Sequence, residues 1–442
     1  MRALARLLKY LVLISVTLCL ALAVFVWLAL EPDPVVFGDR TPTPEDVNQT
    51  RNFVHGVRAA IDTNTVATET FSTNEAQLNS VIRLGARFIP GFRGEVDVGP
   101  TSVIGLAAVP VPLGATPKWL NVRVVAPEFA DRLSFSNVDL GQFALPPGLA
   151  LEAGRIGANL FFGNALGDTA LNAASAMRID DDAVSFDLAM EQMGKNGLMR
   201  GFFGSMRGSE MPTAQEIDYY FQSIRQAMLD GTLPAEGSFL PYLRYTLGLA
   251  NARLDAEGVG NAYTSAVFAL ARLCGALEFT TIVGGVEGGE LVLAGDPKAD
   301  CTSITFNGRV DSKRHFITAA ALQAASNRGF AVSVGEFKEL YDTLKSGGFD
   351  FTDIAANNSG IRLSNTFMAA MPQDWPVLLE RLAAENDVII TYEGIPQIMS
   401  GEDFAARFGD VDSPGYKAMY DVIESRIDTL PLHAPLPPAP GE

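Results

Sequence analysis

Five residues between positions 315 and 357 carry side chains able to move protons or hold a cation: His315, Glu339, Asp342, Asp353 and Asn357. They stand in a stretch otherwise rich in Ala and Gly, on three successive segments with helical spacing. Glu339 and Asp342 lie at i and i+3 and so share a helix face; Asp353, Asn357 and Gly360 lie at i, i+4 and i+7 and share another. The first segment begins near Ser312 and places His315 in its opening turn, with Ala319 one turn on. Ser333 and Glu336 read as a capping box for the second segment, where Gly335 sits one turn before Glu339. The third starts at Phe351–Thr352. Each polar face therefore carries a small residue, and small residues let helices approach until their polar groups meet. An unpaired buried carboxylate is costly, so these groups should meet one another, a cation or water. A His beside Glu339 or Asp353 has a raised pKa and serves acid or base chemistry near neutral pH. One His with two or three carboxylates is also a divalent-metal donor set. A structural network that fixes helix register is a third reading, and a site for a ligand or partner a fourth. The spacing matches no metalloprotease or phosphate-loop motif and leaves cofactor and metal unassigned.

The order "HF…KE…D…GFDF.D.AAN..G" resembles the core pattern of VanZ-like membrane proteins and of small periplasmic lipoproteins with a related motif. The matching positions are His315, Phe316, Lys338, Glu339, Asp342, Asp353, Asn357 and Gly360. Unlike the helices of VanZ-like proteins, those expected around this block are too polar and short to span a bilayer. More loosely, the chain resembles an uncharacterised family of bacterial envelope proteins, in which an anchor and an early Leu-Asn helix (here Leu78–Asn79) precede a strand-rich region and the same block. The resemblance implies an envelope setting and brings no established activity.

An envelope setting also follows from the N-terminus. Arg2, Arg6 and Lys9 precede an uncharged run from Leu11 to Leu30. Twenty residues at about 1.5 Å each match the hydrocarbon thickness of a bilayer. The run is longer than a signal-peptide core and "LALEPDP" is a poor cleavage site; Leu18 before Cys19 does not suit lipoprotein processing. The basic flank and the acidic "EPDP" place the N-terminus in the cytoplasm and the remainder in the periplasm, a single-pass bacterial inner-membrane arrangement. The net charge of −18 excludes nucleic acid and disfavours anionic lipid headgroups as partners. Membrane contact through the N-terminal helix, and a lipid or amphiphile, remain as expected partners. Outside the anchor the cysteines are Cys274 and Cys301, which in an oxidising compartment could close a disulfide or stay as buried thiols.

The expected fold class is α+β: an N-terminal transmembrane helix, a β-rich domain, then an all-α helical domain. In detail this means a basic flank at 1–10, an anchor at 11–30 and a Pro-rich extended spacer at 31–50. A β-rich domain follows at 51–192, with a helix capped at Ser72 or Thr73 and another in "EAGRIGANLFFGNALG". A Gly- and Met-rich hinge covers 193–212 and the helical domain 213–430, its first helix capped by Thr213 with Glu216. The tail 431–442 reads as disordered. His55 and His433 read as solvated surface, "GGVEGGE" as a loop, and Trp119 and Trp375 as core or interface aromatics. Three functions stay open: a tethered envelope protein that binds a lipid, amphiphile or partner; an envelope hydrolase or metal-dependent enzyme using His315 and Glu339; and a scaffold.

Overall fold

The computed structural model describes residues 17, 24–25, 27–37, 41–62, 68–88, 91–112, 117–162, 168, 174–180, 183–189, 211–275, 301–326, 328–342 and 348–436. They are a mixture of helices and sheets in two units. The first unit draws on residues 1–40, 68–156 and 171–189, the second on 41–67, 157–170 and 190–442. Most of the expected anchor lies outside the described residues, and among these no helix is long and apolar enough to cross a membrane.

The chain runs β1 (Leu30–Glu31), α1 (Pro44–Asp62), β2 (Thr68–Asn74), α2 (Glu75–Gly85), β3 (Arg93–Val98), β4 (Ser102–Val111), β5 (Lys118–Pro127), β6 (Asn137–Leu140), β7 (Phe143–Leu145), α3 (Pro147–Phe162), β8 (Ala174–Asp180) and β9 (Ala183–Ala189). Strands β3 to β7 pair antiparallel in sequence order, as short turns between alternating strands require. Strands β2, β9 and β8 form a second sheet. Backbone bonds between Phe129 and Met177 connect the two.

Two expectations fail in this unit. Residues 31–50 are not an extended spacer. Leu30 and Glu31 pair with Leu120 and Trp119 of β5, and α1 begins at Pro44, its first turn closed by Asp46 on the Thr43 backbone and hydroxyl at 2.9 Å. The cause is Asn121, a buried amide that accepts from Val35 N–H and donates to the Asp33 carbonyl, both at 2.9 Å, and to Glu31. The early helix is also capped later than expected. Ser72 and Thr73 belong to β2, and Asn74 accepts from Gln77 N–H to start α2. Asn79 then bonds both the N–H and the carbonyl of Val96, at 2.8 and 2.7 Å, and fastens α2 to β3.

The second unit continues with α4 (Ala214–Leu229), β10 (Gly237–Ser238), α5 (Leu240–Asn251), α6 (Val259–Cys274), β11 (Ile304–Thr305), α7 (Val310–Ala325), α8 (Arg328–Asp342), α9 (Phe351–Ala369), α10 (Trp375–Glu380), α11 (Gly401–Phe408) and α12 (Pro414–Asp428). It is not all-α, because β10 and β11 form a small parallel pair. It also includes α1, which the sequence assigned elsewhere. The capping box of Thr213 with Glu216 starts α4. Cys274 and Cys301 are buried, with their sulfurs in contact and Cα atoms 5.1 Å apart, within disulfide range. The loop they close, with "GGVEGGE" in it, lies outside the described residues, as do most of the hinge and residues 437–442.

The core of this unit is the crossing of α7 and α9, with α6 alongside. Ser364 of α9 donates to the Ala320 carbonyl at 2.7 Å and meets the Tyr263 hydroxyl of α6 at 2.8 Å. Trp375 is fully buried against Tyr263 and Phe367. The tail is ordered as far as 436: Pro431–His433 is a single 3-10 turn, and Arg381 donates to the carbonyls of Ala434 and Pro435. His433 is not solvated surface. Its Nδ1 meets the Thr366 hydroxyl at 2.8 Å, and burial lowers its pKa to about 4. The side chain of His55 is outside the described residues.

Candidate active site

Three helices deliver the polar residues. Helix α9 is started by Asp350, whose carboxylate accepts from Thr352 N–H at 2.8 Å and from its hydroxyl at 2.6 Å. This cap places Asp353 and Asn357 on the face turned toward α7. There His315 Nε2 lies 2.9 Å from Asp353 Oδ2, and His315 Nδ1 lies 3.2 Å from Asn357 Oδ1. Two acceptors around one imidazole suit the doubly protonated ring. Burial pushes the His315 pKa down, but the hydrogen bond and charge of Asp353 outweigh it and the net shift is upward.

The small residues set how close the helices come. A Cβ at Gly360 would overlap the Phe316 carbonyl oxygen of α7, and one at Gly335 would lie 2.7 Å from Asn357 Nδ2. Both glycines exist to admit a neighbouring helix rather than to relax the backbone. Ala319 is buried in the same layer.

Helix α8 begins at Arg328, so Ser333 and Glu336 are interior residues and not a capping box. Glu336 is taken by the Tyr416 hydroxyl at 2.9 Å instead. One turn on, Glu339 is 1% exposed. Its Oε2 accepts from Asp350 N–H at 3.1 Å and its Oε1 meets Lys338 Nζ at 3.1 Å. Burial raises its pKa to about 7; Lys338 and His315 oppose the shift, while Asp353 adds to it. Lys338 Nζ also lies 2.8 Å from Asp342 and 3.9 Å from Asp353. Burial lowers the Lys338 pKa, but the charge of Glu339 and the bond to Asp342 turn the net shift upward. Asp342 therefore joins the centre through Lys338, at its half-exposed rim.

Sequence reading missed Arg309 and Asp350. Arg309 holds Asp311 in a two-pronged pair at 2.6 and 2.9 Å, Thr352 at 2.6 Å and Asp350 at 3.1 Å, with Asp353 at 3.6 Å. The Asp311 bond is the leading cause of its raised pKa, and the same bond lowers that of Asp311. Asp350 had a readable signal, an Asp directly before a helical run. Arg309 had none, since its partners are up to 44 residues away.

Five carboxylates (Asp311, Glu339, Asp342, Asp350 and Asp353) thus share two permanent cations, Arg309 and Lys338. Asp353 Oδ1 and Asn357 Nδ2 are buried without a hydrogen-bond partner among the described residues. Donor atoms of His315, Glu339 and Asp353 lie within 4.8 Å of one another, a set that could hold a divalent ion. Both imidazole nitrogens already face acceptors, however, and an ammonium stands among the carboxylates.

Comparison of the chain with protein-family models, curated proteins and solved structures gives no match.

Proposed function

We propose that this chain is a membrane-tethered envelope hydrolase whose acid–base centre is formed by Glu339, His315 and Asp353. Glu339 is the base that takes a proton from water, and His315 is the imidazolium that protonates the leaving group. Asp353 orients His315 and stabilises its charged form. One observation carries the reading: a buried carboxyl poised at about 7 shares a centre with an imidazole whose pKa a carboxylate raises. A buried carboxyl titrating near neutral pH beside an imidazole suits general acid–base catalysis. Lys338 stands half-exposed at the rim of the centre. The basic flank and the uncharged run before Leu30 support the membrane tether.

The test is a hydrolysis screen of the full-length chain against envelope esters, amides, phosphoesters and glycosides. His315→Ala and Glu339→Gln should each lower kcat by about 10²–10⁴-fold with circular dichroism unchanged. The rate should rise with pH as Glu339 loses its proton near 7, and fall as His315, its pKa raised by Asp353, loses its own. Asp353→Asn should move the falling limb to lower pH. Variants that unfold, or a wild-type chain that turns over nothing in the screen, would favour a structural network instead.

A further inference from the structure

The first unit carries an apolar surface that the acid–base centre does not involve. Register and alternation divide the β3–β7 sheet into two unlike faces. On one, Glu95, Leu106, Arg123 and Asp139 stand in a cross-strand row, beside Asp97 and Asn137 in the next. On the other, Val96, Val109, Leu120, Val122, Val124 and Val138 lie together with no charged neighbour between them. A face of this composition is normally a closed core, yet of these six residues only Val138 is buried and the rest are half-buried. Helix α2 covers the β3 edge, where Ile82 would stand 2.7 Å from a Cβ at Gly94. Among the described residues no helix packs closely along β4 or β5.

The N-terminal run indicates what this face meets. Leu30, the last of the twenty uncharged residues, pairs with Leu120 and so lies on the apolar face itself. Just before it, Trp27 is 58% exposed, with the Lys118 ammonium 5.0 Å from its ring. An exposed Trp beside a Lys is the pairing found where protein meets the headgroup layer. On β5 the apolar face runs from Leu120 to Ala126, about 20 Å at about 3.3 Å per residue, with Lys118 at its end.

We propose that the apolar face of the β3–β7 sheet binds the acyl chains of a membrane phospholipid. The chain's net charge of −18 selects a zwitterionic headgroup over an anionic one. The aliphatic side chains exclude water from the acyl chain, and binding covers side chains that the sheet leaves half-buried.

The test is photolabelling of the full-length chain in phosphatidylcholine vesicles containing phosphatidylcholine with a diazirine-bearing acyl chain. Peptides from β4 and β5 should be labelled several-fold above those of α5 in the helical unit. Val122→Asp should remove that label and Arg123→Ala, on the opposite face, should leave it. Label confined to residues before Leu30 would overturn the proposal. So would an unlabelled wild-type sheet. The outcome depends on neither His315 nor Glu339, so it is independent of the hydrolase reading.

Discussion

The helical unit buries charge and the sheet unit leaves aliphatic side chains half-open. Around α9, Glu339, Asp353 and His315 are withdrawn from water, and along the same helix Ile354, Leu363 and Phe367 are fully packed. In the sheet, Val109, Val122 and Val124 keep part of their surface in solvent although no polar group competes for the space. Burying the first set costs several kcal/mol unless it is paired; exposing the second forgoes about 25 cal/mol per Å². The ion pairs with Lys338 and Arg309 offset the first cost, while among the described residues nothing comparable offsets the second. On the readings proposed above, the centre exchanges protons and the sheet meets acyl chains.

The comparison is broken most severely at Gly360. Its replacement by Ala would raise intrinsic helix propensity by about 1 kcal/mol. The added methyl group must nonetheless displace the Phe316 carbonyl oxygen, a main-chain atom that cannot swing away. Overpacking against a main-chain atom costs about 3 kcal/mol, the upper end of the usual range, so after the propensity gain Gly360→Ala should lower stability by about 2 kcal/mol net. A reduced urea midpoint for the helical unit checks it. An unchanged midpoint would mean that α7 and α9 are not held at backbone contact, and the polar centre would lose its frame.

Glu339 gives the next largest effect. Its pKa is raised in the fold from an ordinary 4.5 to about 7, chiefly by burial. The ionised form is therefore less favoured in the folded chain than in the unfolded one. The stability this provides is fully present below about pH 4.5 and is lost as pH rises through about 7. Glu339→Gln cannot ionise and should escape that loss. The variant should match wild type at pH 4 and exceed it at pH 8 by about 1–2 kcal/mol, read from thermal unfolding at both pH values. A variant weaker than wild type at pH 8 would show that the pair with Lys338 outweighs desolvation, making the centre a structural salt bridge.

How much of this was legible depended on how far each signal reached along the chain. Thr213 with Glu216, and the i, i+4, i+7 spacing of Asp353, Asn357 and Gly360, are local, and the structure follows them. Ser333 and Glu336 carried the same local signature and misled, because α8 starts five residues earlier and Tyr416, eighty positions away, takes the carboxylate. The Pro-rich stretch after Leu30 misled similarly: a single buried amide, Asn121, binds it from across the sheet. Arg309 was invisible because an arginine announces nothing until its acids are folded around it. Local capping and periodicity located the helices and the faces they turn inward, while the ion pairs closing the centre and the strand that begins the sheet are long-range choices.

The smallest effect is the most informative about the sheet. Truncating a fully buried aliphatic side chain, such as Leu363→Ala in α9, should cost about 2–5 kcal/mol by lost transfer energy and the cavity left behind. Val124→Ala on the apolar face should cost under about 1 kcal/mol in detergent-free solution, since the side chain is half-exposed and no cavity closes over it. In phosphatidylcholine vesicles the same substitution should cost more, because the missing methyl groups then face packed acyl chains. Hydrogen exchange of the β5 amides in the two media separates these cases. Equal protection loss in both would mean that lipid adds nothing at Val124, and the half-open face would then be a loosely packed core. A loss confined to vesicles would mark it as a surface completed by the membrane.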